Sequence, residues 1–246
     1  MERLTERSTG GEWIAQHPEW AVIFEQFKID YCCGGKMPLD VACRRAGLDT
    51  ATLISVLGAA AGLPGGSETE VSGMTLTQLA DDIERDHHAY LRRAMPAIHQ
   101  MSARVAERHG DARPALRELF EVFDGLSDSL TQHMHEEEDV VFPAIRRLEA
   151  LVEGEPAVSR DGGGIQTSIV QMEHEHEEAG QALAKMRELT DGFAVSPDCC
   201  KTYSAMLRAM AAFEQDMHRH IHKENSVLFP KAAALEAEHA DASYSI

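Results

Sequence analysis

The sequence predicts an all-α protein, and three observations support that class. Hydrophobic residues make up 43% of the 246 residues, but aromatic residues only 6%. Ala, Leu, Met, Glu and Arg, which favour helices, recur in long runs. Apolar residues return at spacings of three and four along four long segments. We therefore expect a small N-terminal helical module followed by an antiparallel up-down-up-down four-helix bundle.

The clearest break in the chain is a linker over residues 64–74, where Pro, Gly and Ser replace periodic apolar residues. It separates a module over 1–63 from a bundle over 75–246. Tryptophan and phenylalanine residues supply the apolar faces of the short helices expected in the module. Three further breaks divide the bundle into four helices, at 110–114, 153–164 and 191–198.

Charge and cysteine usage exclude several classes of partner. The formal net charge of −18 would repel nucleic acid and anionic membranes. No long apolar stretch suggests a secretory signal or a membrane span, so a cytoplasmic location is expected. The cysteines are odd in number and include two adjacent pairs, which favours reduced thiols over a disulfide framework. They are Cys32, Cys33, Cys43, Cys199 and Cys200.

One motif is written twice in the predicted bundle. The copies are His133-x-x-x-Glu137 followed by Phe142-Pro143, and His220-x-x-x-Glu224 followed by Phe229-Pro230. A His and a Glu four residues apart project from the same helical face. In both copies that face is the apolar one, so the carboxylates are expected to be buried. Burial costs several kcal/mol per ion without a compensating charge, which indicates a bound cation.

Helix geometry predicts that four histidines share one level of the bundle. Antiparallel helices joined by a turn carry residues equidistant from that turn at the same level, because each residue rises about 1.5 Å. Two pairs of histidines meet this condition. His88 and His133 are equidistant from the break at 110–114, and His176 and His220 are nearly equidistant from the break at 191–198. A single histidine on an apolar face is more typical of a hydrogen-bonded core residue. Four at one level, with Glu137 and Glu224 one turn further along, favour a metal site.

The histidine of the first bundle helix has an alternative. The apolar stripe through Leu76, Ala80 and Ile83 points at His87, whereas the level and the repeat interval favour His88. We choose His88 and keep His87 as the alternative, since Pro96 can alter the helical register.

Imidazole and carboxylate ligands without thiolate favour iron, manganese or zinc. Two glutamates facing each other across a bundle can bridge two metal ions, leaving open positions for a small diatomic ligand. Zinc is the main competitor of iron. Neighbouring histidines are expected to be solvated or to support the ligands, and neighbouring glutamates to be solvated. These are His135, His174, His218 and His222, and Glu136, Glu138, Glu173, Glu175 and Glu177.

Four motifs together resemble a known family. They are Tyr31-Cys32-Cys33-Gly34-Gly35, His133-Met134-x-x-Glu137, Glu175-His176-x-Glu178-Ala179-Gly180 and His220-Ile221-x-x-Glu224-Asn225. Over nearly the whole chain this combination resembles the repair-of-iron-centres proteins, which are hemerythrin-like di-iron proteins. The resemblance implies two non-haem irons, with Glu137 and Glu224 bridging them. The implied ligands are His88, His133, His176, His220, Glu137 and Glu224.

The resemblance also implies an activity and partners. These are restoration of iron–sulfur clusters damaged by nitric oxide or oxidants in client proteins, and binding or reduction of NO at the di-iron centre. An O2 or NO carrier or sensor of the hemerythrin type is the alternative, and a purely structural role is a third interpretation. The sequence does not separate iron donation from electron supply or NO removal, and it allows a homodimer.

The first cysteine pair is a candidate redox or metal-binding site. Cys32 and Cys33 precede Gly34-Gly35-Lys36 and a helix expected to begin near Pro38. A helix N-terminus and a lysine lower the pKa of a thiol, and glycines let a partner approach the backbone. The alternative is a pair of small apolar residues in a turn. Structural or incidental roles are expected for Cys43, Cys199 and Cys200.

Overall fold

The computed structural model describes four stretches of the chain: 4–60, 73–152, 164–197 and 199–243. Helices form nearly all of the regular structure there, with one isolated β-bridge between Thr9 and Pro38. The predicted all-α class is confirmed. Of the predicted linker 64–74, all but Gly73 and Met74 lies outside the described residues.

Eleven α-helices occur in these stretches: α1 (Gly10–Gln16), α2 (Ala21–Gln26), α3 (Leu39–Arg45), α4 (Thr50–Ala60), α5 (Leu76–Asp82), α6 (Ala89–His109), α7 (Ala115–Glu136), α8 (Phe142–Val152), α9 (Gln166–Leu189), α10 (Lys201–Lys223) and α11 (Phe229–Ser243). A short 3-10 turn, Pro18–Trp20, precedes α2. Within the described part of the chain, no helix is both long enough and apolar enough to cross a bilayer.

Three π-helical segments join pairs of α-helices. They are Ile83–His88 between α5 and α6, Glu137–Val141 between α7 and α8, and Glu224–Leu228 between α10 and α11. A π turn accommodates one more residue than an α turn. Pro143 and Pro230 each follow a π segment by two residues. In a regular helix the ring of a proline clashes with the carbonyl four residues earlier. Here that carbonyl lies in the π segment, where the wider turn leaves room for the ring.

Contacts divide the chain into two compact units. The first comprises Met1–Ala80, Ala144–Thr167 and His218–Ile246, and the second comprises Asp81–Pro143 and Ser168–Met217. The predicted division at residues 64–74 remains a prediction, since contacts group the N-terminal helices with the ends of later ones.

In the first unit, the N-terminal helices pack against the C-terminal residues of α10 and the π segment that joins α10 to α11. Thr9 caps α1, accepting a hydrogen bond from the Glu12 N–H while the Glu12 carboxylate accepts one from the Thr9 N–H. Helix α1 lies on the π segment that follows α10, where a Cβ on Gly11 would come within 2.5 Å of Ser226 Oγ. Large side chains fill the core around α1 to α4: Trp13, Trp20, Phe24, Leu39, Leu53 and Leu57.

The second unit contains parts of four helical rods. Contacts join α6 to α7 (His99–Asp124), α7 to α9 (Glu118–Lys185), α9 to α10 (Arg187–Glu214) and α10 to α6 (Cys200–His109). A second contact for three of these pairs shows that they run antiparallel: His88–Glu138, His133–Glu175 and His87–Asp216. The edge-to-face rings of Phe123 and Phe213 lie between α7 and α10. These pairings support the predicted up-down-up-down order.

Candidate metal centre

Three histidines converge on Glu137 in the second unit. One carboxylate oxygen, Oε2, lies 3.2 Å from His88 Nε2, and the other, Oε1, lies 3.3 Å from His133 Nε2. The Nε2 atoms of His133 and His176 are 3.0 Å apart. None of the four side chains is more than 3% exposed. Four of the six predicted ligands are therefore brought together on three rods.

The second copy of the motif forms the same local arrangement in the first unit. His220 Nε2 lies 3.0 Å from Glu224 Oε1, compared with 3.3 Å for His133 and Glu137. Both His220 and Glu224 are fully buried. In each copy the histidine lies in the last turn of an α-helix and the glutamate is the first residue of a π segment. The repetition in sequence is thus a repetition of structure.

The donor atoms fit a transition metal ion. Nitrogen and oxygen ligands of one ion, each about 2.1 Å from it, lie roughly 3.0–3.5 Å from each other. The measured separations around Glu137 are 3.0–3.3 Å. The two facing Nε2 atoms of His133 and His176 would repel one another through their lone pairs unless a proton or cation lay between them. A cation would also compensate the buried charge of the carboxylate. Imidazole and carboxylate without thiolate suit iron, manganese or zinc.

Two further carboxylates orient the imidazoles. His88 Nδ1 lies 2.7 Å from Glu138 Oε1, and His133 Nδ1 lies 2.7 Å from Glu175 Oε2. The Nδ1–H groups donate these bonds, which directs the Nε2 lone pairs toward Glu137. The expectation that Glu138 and Glu175 are solvated is wrong. Sequence reasoning missed them because several glutamates neighbour each position and nothing in the sequence singles out one of them. The antiparallel helix geometry that placed the histidines at one level could have found them, since it also places Glu138 near His88 and Glu175 near His133.

The same two carboxylates are held in their charged form. Burial raises the pKa of Glu138, but hydrogen bonds from Arg92 and His88 outweigh it and leave the pKa below its usual value. For Glu175, the hydrogen bond from His133 lowers the pKa more than burial raises it, and Gln171 adds a second bond. An anionic partner makes a neutral imidazole a stronger metal ligand.

The structure distinguishes His88 from His87. Both are buried, but His87 Nδ1 lies 3.1 Å from Asp216 Oδ1, whereas His88 meets Glu137. The alternative of His87 came from the spacing of four residues after Ile83, which places two residues on the same face of a regular α-helix. Ile83–His88 is a π segment, so the count shifts by about one residue and His88 takes the position facing Glu137.

Comparisons with known proteins match nearly the whole chain. Residues 79–232 match the Hemerythrin HHE cation binding domain, and residues 6–61 match a Domain of Unknown function (DUF542). The Iron-sulfur cluster repair protein YtfE of Musicola paradisiaca (strain Ech703) is 32% identical over 227 residues, covering 92% of this chain and 96% of that relative. The protein of the same name from Yersinia pseudotuberculosis serotype O:1b (strain IP 31758) is 33% identical over 217 residues, covering 87% and 91%.

The chain belongs to the iron–sulfur cluster repair protein family. This confirms the resemblance drawn from the motifs. The hemerythrin match includes all six predicted ligand positions of this family member, and the second match includes the Cys-Cys-Gly-Gly segment.

Two of the remaining histidines in this family member contact the N-terminal helices in the first unit. His222 Nδ1 lies 3.3 Å from the carbonyl oxygen of Tyr31, and His218 Nδ1 lies 2.6 Å from Glu25 Oε1. Burial lowers the pKa of His222 to about 4, so this imidazole is neutral at physiological pH. His222 is buried and His218 is half-buried, whereas His135 and His174 are exposed.

The Cys-Cys-Gly-Gly segment is a tight loop built on Asp30. The Asp30 carboxylate accepts hydrogen bonds from the backbone N–H groups of Cys32 and Gly34, at 2.9 and 2.8 Å. Helix α3 begins at Leu39 with Pro38 as its cap, as predicted. Cys32 is buried, and its Sγ lies 3.7 Å from Cys33 Sγ.

The expected activation of the thiol is not found at Cys32. The hydrogen bond with Cys33 and burial raise the pKa of Cys32 well above the usual thiol value. The glycines also serve the loop itself. A Cβ on Gly35 would lie 2.3 Å from the carbonyl oxygen of Tyr31, and one on Gly34 would lie 2.8 Å from Asp30 Oδ2.

Proposed function

We propose that this protein repairs iron–sulfur clusters damaged by nitrosative or oxidative stress, using a Glu-bridged di-iron centre in the cytoplasm. The observation that carries the proposal is the buried convergence of His88, His133 and His176 on Glu137, in a chain whose relatives are named for cluster repair. His220 and Glu224, which repeat the motif, complete the proposed ligand set.

The proposed roles of the side chains follow from their contacts. When bound, the irons would supply a redox couple and open positions for NO or O2. Glu137 and Glu224 would bridge the two ions, and the histidines would hold them through Nε2. Glu138 and Glu175 fix the orientation of two imidazoles, and complete burial of Glu137 excludes water from the donor atoms.

Cys32 and Cys33 are proposed to serve the centre as a redox or metal-binding pair. Support comes from the first unit, where the carbonyl of Tyr31, next to Cys32, contacts His222. His222 lies midway between His220 and Glu224 in the sequence. The raised pKa keeps Cys32 protonated at neutral pH, and Cys33 is the more exposed of the two.

An O2 or NO carrier or sensor is the second candidate. All the candidate ligands lie within residues 79–232, the part of the chain that matches the hemerythrin domain. Binding of a diatomic ligand there would need no cysteine, which favours this candidate. NO reduction at the centre, the client iron–sulfur proteins and a homodimer also belong to the proposal. Anaerobic NO consumption with a reductant, and sedimentation, test the first and last of these.

Metal content and repair, measured on the same full-length preparations, test the proposed function. Anaerobically purified protein should contain two irons per chain, with Mössbauer spectra of a coupled pair, rather than zinc. It should also restore an iron–sulfur enzyme inactivated by NO. The variant Cys32→Ala/Cys33→Ala should keep its iron and its NO binding but lose repair.

The outcomes separate the candidates. Wild-type protein that binds NO or O2 reversibly without restoring the inactivated enzyme would establish the carrier. Unchanged repair in the double cysteine variant would remove the cysteines from the mechanism while leaving the di-iron centre. Protein without metal after anaerobic purification would contradict both candidates.

A further inference from the structure

The second cysteine pair lies at the N-terminal end of α10, in the second unit. Cys200 immediately precedes the helix, and its carbonyl oxygen accepts the first helical hydrogen bond, from the Ser204 N–H at 2.9 Å. Its side chain is exposed. Helix α6 places its last residue, His109, beside Cys200 and about 30 Å along the rod from His88. This cluster is therefore separate from the candidate metal centre.

Cys200 has a base within reach. Its Sγ lies 3.4 Å from His109 Nε2. The His109 ring lies 6.3 Å from the ring of Tyr203, and the guanidinium of Arg113 lies 6.0 Å from the same Tyr203 ring. An imidazole that can take the proton and the N-terminus of a 23-residue helix therefore both lie beside this thiol.

The neighbouring cysteine lacks these features and provides an internal comparison. Cys199 is half-buried, and its Sγ contacts Ser196 Oγ at 3.7 Å. A hydroxyl is not a base at neutral pH, so it cannot accept the thiol proton as His109 can. Two adjacent cysteines of one chain thus differ in both exposure and partner.

We propose that Cys200 is a site of reversible thiol modification, which forms a mixed disulfide with a low-molecular-weight disulfide. His109 takes the Sγ proton, and the thiolate attacks one sulfur of the incoming disulfide. A new S–S bond forms to Cys200 while the original S–S bond breaks, and the leaving thiolate takes the proton from His109. One disulfide is consumed and one is formed, so no external oxidant or reductant is required.

The test uses full-length protein and oxidised glutathione, with the modified cysteine assigned by peptide mass mapping over time. Cys200 should react at least about tenfold faster than Cys199, because Cys200 is exposed beside a base, whereas Cys199 is half-buried beside a hydroxyl. His109→Gln should slow the reaction at Cys200 by about tenfold and leave the rate at Cys199 unchanged. Cys199→Ser is the matched control and should leave the Cys200 rate as in the wild type.

Two results would overturn the proposal: equal rates at Cys199 and Cys200 in the wild-type chain, or an undiminished Cys200 rate in His109→Gln. The first comparison needs no substitution, so it decides the question even if a variant loses its helical circular dichroism. Iron content should not change in any of these variants, because His109 and Cys200 contact none of the candidate ligands.

Discussion

The two copies of the His-x-x-x-Glu motif have nearly the same internal geometry but different surroundings. The first histidine, His133, donates to a carboxylate on a neighbouring helix, Glu175. The second copy is flanked by His218 and His222, which contact Glu25 and the backbone of Tyr31 in the N-terminal helices. A repeated motif therefore does not imply a repeated environment. The first copy is hydrogen-bonded to a carboxylate of a neighbouring bundle helix. The second copy is flanked by contacts to the N-terminal helices, which match a different family domain.

Removing either glutamate should have the largest effect and should not distinguish the copies. In the proposed centre each of these carboxylates would serve both metal ions, so Glu137→Ala and Glu224→Ala should each reduce iron from two per chain to one or none. Metal analysis of anaerobically purified protein measures this. Full occupancy in both variants would contradict the bridging assignment.

Removing the outer carboxylate should affect the first copy alone. Glu175→Gln keeps the side-chain volume but removes the charge that polarises His133, so metal affinity should fall by about 10–100-fold in a chelator competition. The matched control is Glu177→Gln on the same helix, where the side chain is exposed. Equal affinities for the two variants would show that the bond between His133 and Glu175 does not tune the site.

Gly35→Ala should disturb the surroundings of the second copy. Its Cβ would lie 2.3 Å from the carbonyl oxygen of Tyr31, the atom that contacts His222. We expect a loss of about 1–3 kcal/mol in the free energy of unfolding, measured by urea denaturation. Gly58→Ala is the control. Its Cβ meets no atom within 4 Å in helix α4, and it should raise stability by up to about 1 kcal/mol.

The smallest effect is expected from Tyr31→Phe. Only the hydrogen bond from the Tyr31 hydroxyl to Glu25, 3.3 Å long, is lost, which should cost about 0.5–1.5 kcal/mol. Iron content should stay unchanged, because phenylalanine keeps the ring that packs edge-on against His222, with 5.5 Å between ring centroids, and the backbone carbonyl that contacts His222 Nδ1. A loss of iron in this variant would mean that the tyrosine hydroxyl itself supports the second copy.

Much of the site was predictable because helix geometry is regular. Spacing along the rods predicted that His88, His133 and His176 would share a level with a glutamate nearby, and the structure brings them onto Glu137. The all-α class followed from composition and periodicity. These features depend on the regular spacing of residues along a helix, which can be counted in the sequence.

The features that sequence reasoning missed depend on tertiary contacts or on a departure from regular helix. Glu138 and Glu175 differ from other acidic residues only in what they face. The raised pKa of Cys32 comes from Cys33 and from burial in a loop built on Asp30. The packing of α1 against the π segment Glu224–Leu228 has no local signal in either stretch of sequence.

Each of the three π segments is a place where a helix holds one extra residue without turning its two ends relative to each other. Deleting one residue there would restore the ordinary α count and leave the faces of the following helix as they are. Deleting one residue from a regular turn of α7 or α10 would instead rotate everything beyond it by about 100°. We therefore expect a single-residue deletion in a π segment to keep the fold and to displace the candidate ligand beside it. Anyone grafting these ligands onto straight designed helices would have to build the extra residue into the scaffold.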